Sequence, residues 1–210
     1  RGDLDVFYVN CLIHTVIAGL NSNIRFHPFW VSHDALVQRC RNDIFKIAHE
    51  GKFDALLCID ADMIWQPEWA VELVKRSEDI IGGTTRKKTD EAEMYTVGMD
   101  DFQVYENGLM KAISLGMGFT KLSKKVVDAL WEDATAYVNP GGRDSRMVFD
   151  IGLVENKAGT PELWGEDSMF WKRCRELGFQ PWLDPKMTCS HVGMKIYEGN
   201  FSEYLNKTIR

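Results

Sequence analysis

Ala55-Leu56-Leu57-Cys58-Ile59-Asp60-Ala61-Asp62 joins a short apolar run to two carboxylates separated by one small residue. The run is apolar throughout, is too short for a typical helix, and follows Gly51-Lys52-Phe53-Asp54. That pattern suits a central strand buried on both faces of a sheet. Side chains alternate along an extended backbone, so Asp60 and Asp62 are expected on the same side of it. Two anions so close repel each other unless a cation lies beside them. A hard divalent ion, Mn2+ or Mg2+, suits such a pair and keeps coordination positions open for phosphate. An isolated Asp-x-Asp is also an ordinary charged turn, so the rest of the chain must decide.

Upstream, residues 4–13 are rich in Val6, Phe7, Tyr8, Val9 and Ile13 and read as a first strand. Asn21-Ser22-Asn23 is a loop, and 25–31 reads as a short second strand. Ser32-His33-Asp34 offers caps for a helix over 35–49, with Leu36, Cys40, Ile44 and Ile47 or Ala48 on one face. Gly51 ends that helix. Downstream, Pro67 opens a helix to Arg76 with Trp69, Leu73 and Val74 as its core face, and 79–82 is another strand. Alternating strands and helices over the first 85 residues favour a layered α/β fold with parallel strands.

The second half is more broken. Residues 94–110 read as a polar, hairpin-rich insert, and 112–122 as strand pieces interrupted at Gly116 and Gly118. A helix is expected over 123–132, and a long glycine-rich loop over 139–146 carries Arg143 and Arg146, suited to a lid. Residues 166–177 read as an amphipathic helix closed by Gly178, followed by strands at 180–184 and 187–190. No internal repeat or linker is evident.

At 210 residues the chain is the size of one sizeable domain, with 45% hydrophobic and 27% charged residues, an ordinary globular composition. A net charge of -6 argues against nonspecific nucleic-acid binding. No stretch reaches the ~18 apolar residues of a membrane span. Five scattered cysteines without a C-x-x-C pair read as reduced thiols in a cytoplasmic protein rather than as zinc ligands.

Two further segments carry chemistry. Gly165-Glu166-Asp167 opens the late helix, where the dipole and unpaired amides favour carboxylates. His191, at a strand end and followed two residues later by Gly193, can be a metal ligand or simply a packed histidine. Taken in order, an apolar strand ending in Asp-x-Asp, Ile80-Ile81-Gly82-Gly83, Gly116-Met117-Gly118-Phe119, a Gly-Glu-Asp helix start with Phe170 and Arg173, and a final His-x-Gly resemble a GT-A-type glycosyltransferase. Arg39-Cys40-Arg41-Asn42-Asp43 fits the same family, and the resemblance spans roughly 4–193. It is nearest to small enzymes of large viruses and phages, such as chlorovirus enzymes that glycosylate capsid protein in the host cytoplasm.

The resemblance implies one domain over 1–210 with a Rossmann-like, three-layer α/β fold and a central mixed, mostly parallel sheet. Residues 1–90 would form the nucleotide- and metal-binding half and 91–210 the acceptor-binding half. Asp62 would bind the metal directly. Asp60 would hold donor hydroxyls or reach the metal through water, and His191 would be the third protein ligand. Val9, Asn10 and Cys11, at the end of the first strand, would meet the base. Ala61 belongs to the same donor site, Arg41 would lie near the diphosphate or donor sugar, Arg86 near the diphosphate, and Gly116 and Gly118 would line the donor sugar. Glu166 and Asp167 would serve the acceptor, with Asp167 as base or sugar-orienting carboxylate. The donor implied is a nucleoside-diphosphate sugar, a UDP-hexose ahead of GDP-mannose, and the acceptor a glycan or glycoprotein. Retention and inversion both remain open.

The chemistry of the residues agrees with this. Transfer from such a donor builds charge on the departing diphosphate, which a divalent ion and the basic run Arg86-Lys87-Lys88 can stabilise, and the acceptor hydroxyl needs a proton acceptor. A sugar nucleotidyltransferase is expected to have a glycine-rich basic loop after the first strand, where Asn10-Cys11-Leu12-Ile13-His14 stands instead. A noncatalytic nucleotide-sugar or glycan-binding module is the alternative of another class, and it needs no general base. A metal-dependent phosphodiesterase would want a richer cluster than five histidines supply. Trp164, beside the Gly-Glu-Asp, is the tryptophan best placed for acceptor contact.

Overall fold

The computed structural model describes residues 5–31, 34–90, 92–140 and 142–208; Leu4 and the expected capping residues Ser32 and His33 lie outside them. Its first element corrects the sequence reading. Val6–Asn21 is a helix, α1, not a strand. Asp5 caps it by accepting the Phe7 N–H at 2.8 Å. Tyr8, Cys11, Thr15 and Gly19 form its buried stripe at helical spacing, while Val6, Phe7, Ile13 and Ile17 are exposed. The expected strand over 25–31 is irregular.

Helix α2 (Val37–Glu50) stops at Gly51 as expected, but it buries Asn42, Phe45 and Ala48 while Leu36 and Ile47 are exposed. Strand β1 (Ala55–Ile59) leads into β2 (Met63–Ile64), α3 (Pro67–Lys75) and β3 (Ile80–Thr85). Short strands follow at β4 (Val97–Gly98), β5 (Met110–Lys111), β6 (Ser114–Leu115) and β7 (Phe119–Ser123), then α4 (Lys124–Asp133). The expected lid is instead the turn of a hairpin between β8 (Ala136–Val138) and β9 (Asp144–Arg146). A second hairpin joins β10 (Gly152–Glu155) to β11 (Pro161–Trp164). The chain continues through α5 (Glu166–Glu176), β12 (Pro181–Val192), β13 (Ile196–Tyr197) and α6 (Phe201–Thr208).

The class is α/β with a mixed central sheet, in the order β1-β7-β3-β12-β13, with β2 and β5 also paired to β12. Strands β3 and β12 are parallel, whereas β3–β7, β12–β5, β12–β2 and β12–β13 are antiparallel. A mostly parallel sheet is therefore not what forms: most of these pairings are antiparallel. Strand β1 lies at the end of the order, not its centre, and its residues are only partly buried. The two late strands expected are one, β12, whose register against β3 shifts between Leu183 and Thr188.

The chain divides into two compact units, each assembled from separated segments. The first comprises Phe29–Leu56 and Ser123–Phe179; the second comprises Leu57–Leu122 with the described residues of 3–28 and 180–210. They are not the sequential halves 1–90 and 91–210. In the first unit Phe149 stacks on Phe170 with centroids 4.6 Å apart, and Phe45 meets both rings edge-on. In the second, Tyr8 and Cys11 of α1 and Ala70 and Leu73 of α3 join Ile81, Phe119, Met187 and Cys189 of the sheet in one apolar core. No helix among the described residues is long and apolar enough to cross a membrane.

Candidate functional site

The Asp60-Ala61-Asp62 segment is not extended. The Met63 N–H donates to the Asp60 carbonyl at 3.1 Å, closing a tight turn between β1 and β2. The two carboxylates therefore have different surroundings instead of sharing one face. The Asp60 N–H donates to the Gly118 carbonyl at 3.2 Å. A Cβ at Gly118 would lie 3.2 Å from Asp60 Oδ2 and 2.4 Å from Met63 Cε, so glycine here keeps room beside the Asp60 carboxylate. Gly116 makes room instead for Thr96, whose Oγ1 would lie 2.7 Å from an added Cβ. Ala61 is exposed.

Asp62 is placed by the β2–β12 ladder. Met63 stands opposite His191, and the Val192 N–H donates to the Asp62 carbonyl at 2.8 Å. Across this register Asp62 Oδ2 lies 3.3 Å from His191 Nε2 and 2.6 Å from Lys88 Nζ. His191 Nδ1 is 3.2 Å from the Arg86 carbonyl, so Nδ1 is the donor there. That leaves Nε2 as a lone pair for a cation or, when protonated, as a donor to Asp62. Partial burial pushes the Asp62 carboxyl up, but hydrogen bonds from His191 and Lys88 more than offset this and hold it at about 2.

Among the described residues no three His, Cys, Asp or Glu side chains gather about one point, so Asp60, Asp62 and His191 do not form the expected three-ligand set. Asp62 and His191 do converge, and the Lys88 ammonium already stands on their shared face as a cation. Two such donors fit a divalent ion that takes the rest of its coordination from phosphate and water. Arg86 contributes its carbonyl to His191, while its guanidinium donates to the Glu198 carbonyl at 3.1 Å and its buried Nε has no hydrogen-bond partner.

The other unit carries the carboxylate pair. Gly165 caps α5, and Glu166 and Asp167 occupy its first turn. Arg41 forms an ion pair with Asp167, and its Nη1 lies 3.5 Å from Glu166 Oε1. Its guanidinium carbon sits 5.3 Å from the centre of the Phe149 ring. Phe149 is positioned in turn by Asn42, which accepts its N–H at 2.8 Å and donates to its carbonyl at 3.3 Å. Arg41, expected near the diphosphate or donor sugar, is thus seen with the two carboxylates. The Asp167 side chain is 42% exposed, open to a ligand from solvent.

Other expected residues fall elsewhere. Val9, Asn10 and Cys11 lie on α1, not at a strand end; Cys11 is buried, Val9 packs on the core, and Asn10 is exposed on the opposite side. Arg146 donates to the carbonyls of Trp131 and Glu132 and so ties its hairpin to α4 rather than serving a lid. Trp164 is partly buried, with Nε1 3.5 Å from Glu162 Oε2. Sequence reasoning missed Phe149, named Asn42 only within the stretch 39–43 without a role, and ranked Arg86 above Lys88. Only pairing between segments distant in the chain reveals those three roles.

No family model and no curated protein sequence matches this chain. Among solved structures it is similar to A197 from STIV, at 16% identity over 87% of this chain and 78% of that one, with a TM-score of 0.54. A likeness at that identity bears on the fold alone, and it agrees with an α/β chain built on a mixed central sheet.

Proposed function

We propose that this chain is a GT-A-type glycosyltransferase that moves a hexose from a nucleoside-diphosphate sugar, preferentially a UDP-sugar, to a hydroxyl of a glycan or glycoprotein. The observation that carries the reading is the convergence of Asp62 and His191, held by the β2–β12 register directly after the Asp-x-Asp turn. Asp62 and His191 would hold a divalent ion, Mn2+ or Mg2+, which supplies charge neutralisation for the departing diphosphate. Without such an ion Lys88 is the cation on Asp62, and Gly118 leaves space beside Asp60 for a donor group. Asp167 takes the proton of the acceptor hydroxyl or orients the sugar, and Glu166 binds sugar hydroxyls. Arg41 positions both carboxylates.

The Arg41–Asp167 ion pair also favours a second reading, a noncatalytic nucleotide-sugar-binding module, because a paired carboxylate is a weaker proton acceptor. Release of free nucleoside diphosphate from a panel of UDP-, GDP- and dTDP-sugars, with acceptor and Mn2+ and then with EDTA, separates the two. A transferase releases it with manganese and stops in EDTA. A module binds the donor and releases none under either condition.

A further inference from the structure

The cation seen at Asp62 belongs to the chain itself, and the surroundings of Lys88 suit that placement. Lys88 follows a short antiparallel pairing in which the Thr96 N–H donates to the Thr85 carbonyl, Arg86 bridges Tyr95, and the Lys87 N–H donates to the Met94 carbonyl. The backbone leading to Lys88 is thereby held while the side chain is left to turn. Its stem passes Gly193: a Cβ there would lie 3.2 Å from Lys88 Cδ and equally close to Tyr197 Cε2. Glycine at the end of the His-x-Gly run therefore leaves room for the Lys88 stem, whose Nζ comes within 2.6 Å of Asp62 Oδ2. The same oxygen faces His191 Nε2.

A divalent ion on Asp62 and an ammonium on the same oxygen repel each other, and only one of them can hold that position. We propose that Lys88 is a resident counter-ion that competes with a divalent ion for Asp62, lowering the metal affinity of the centre until the ion displaces it. The inference rests on the metal centre of the proposed function, and it concerns this lysine alone. Lys88 is replaced by an ion of higher charge density without any backbone rearrangement, because its stem is flexible and the side chain is 35% exposed. In the absence of metal it keeps the Asp62 carboxylate from being left as an uncompensated charge.

Manganese binding without nucleotide, measured by calorimetry and by the EPR signal of free Mn2+, tests this on the whole chain. Lys88→Met removes the charge but keeps an unbranched stem, and is expected to bind Mn2+ about fivefold more tightly than wild type, the equivalent of ~1 kcal/mol for a half-exposed ion pair. Lys88→Arg, which keeps the charge, is expected to bind close to wild type. Gly193→Ala, which crowds the stem, is expected to shift affinity in the same direction as Lys88→Met. Equal or weaker Mn2+ binding by Lys88→Met overturns the competition while leaving the metal centre in place. Absence of Mn2+ binding in both wild type and Lys88→Met overturns the competition together with the metal centre.

Discussion

Replacing Asp62 with Asn keeps the shape of the side chain and removes its charge. In the folded chain the Asp62 carboxyl lies at about 2 rather than its ordinary 3.8, with partial burial opposing and the bonds from His191 and Lys88 prevailing. That fall corresponds at most to ~2.4 kcal/mol of stability at neutral pH. The side chain is 43% exposed, so solvent screening reduces the expected loss to roughly 1 kcal/mol, or about 2–4 °C in Tm for a chain of this size. The sign follows from a depressed carboxylate: the contribution is complete above the unfolded value and is lost as pH falls through the folded one. About a quarter to a half of it should remain at pH 3. Urea unfolding of wild type and Asp62→Asn at pH 7 and pH 3 measures this. The difference should be near 1 kcal/mol at pH 7 and about a quarter to a half of that at pH 3. A difference that does not shrink on acidification, or no difference at pH 7, refutes an ionic role for Asp62. A loss much above 2.4 kcal/mol means that the amide breaks packing instead.

Asp167→Asn should lower turnover by on the order of 100-fold while donor and metal binding persist, and Glu166→Gln should cost less. Reversed effects exchange the two roles, and normal turnover in both makes Gly165-Glu166-Asp167 only a helix start. Arg41→Gln should leave the donor Kd unchanged and reduce kcat, because its observed partners are Glu166 and Asp167; weakened donor binding, greater at low salt, restores the diphosphate assignment. Gly83→Ala should destabilise by about 3 kcal/mol, roughly 6–12 °C in Tm, because the new Cβ would stand 2.4 Å from the Met187 carbonyl and backbone cannot easily yield. A Tm within a degree of wild type refutes that close approach of β3 and β12.

The parts of the fold legible in the sequence are those whose local chemistry agrees with their tertiary setting. Pro67 opens α3, Ser123 caps α4, and Gly178, at φ 81°, follows α5, all where turn and cap chemistry predicts. Helix α1 was misread because its outer face is apolar as well. Val6, Ile13 and Ile17 are exposed and mask the period, whereas the buried stripe includes Thr15 and Gly19, residue types that announce no core. The residues expected to meet the nucleotide base, Val9, Asn10 and Cys11, fell with that strand. The hairpin of β10 and β11 left a readable trace: Asn156 accepts the N–H groups of Ala158 and Thr160, and Gly159 takes φ 74°. Of the candidate site residues, Asp62 and His191 in one unit and Glu166 and Asp167 in the other were visible as residue types at element ends. Their partners were not. Lys88 reaches Asp62 past Gly193, and Arg41 rests on a ring that Asn42 holds from 107 residues away. Such placements depend on register between distant segments, which no local pattern encodes.

The central claim is that Asp62 and His191 support metal-assisted binding of a nucleotide sugar, and a thermal-shift screen tests it most directly. Wild type and Asp62→Asn are melted with UDP-, GDP- and dTDP-sugars, each with and without Mn2+. A ligand at about 100 times its Kd adds ~2.7 kcal/mol of stability, roughly 5–10 °C here. The account predicts such a shift for a UDP-sugar with Mn2+ in wild type, little without the metal, and none in Asp62→Asn. A shift of full size in Asp62→Asn, or no shift with any nucleotide sugar in either protein, contradicts it.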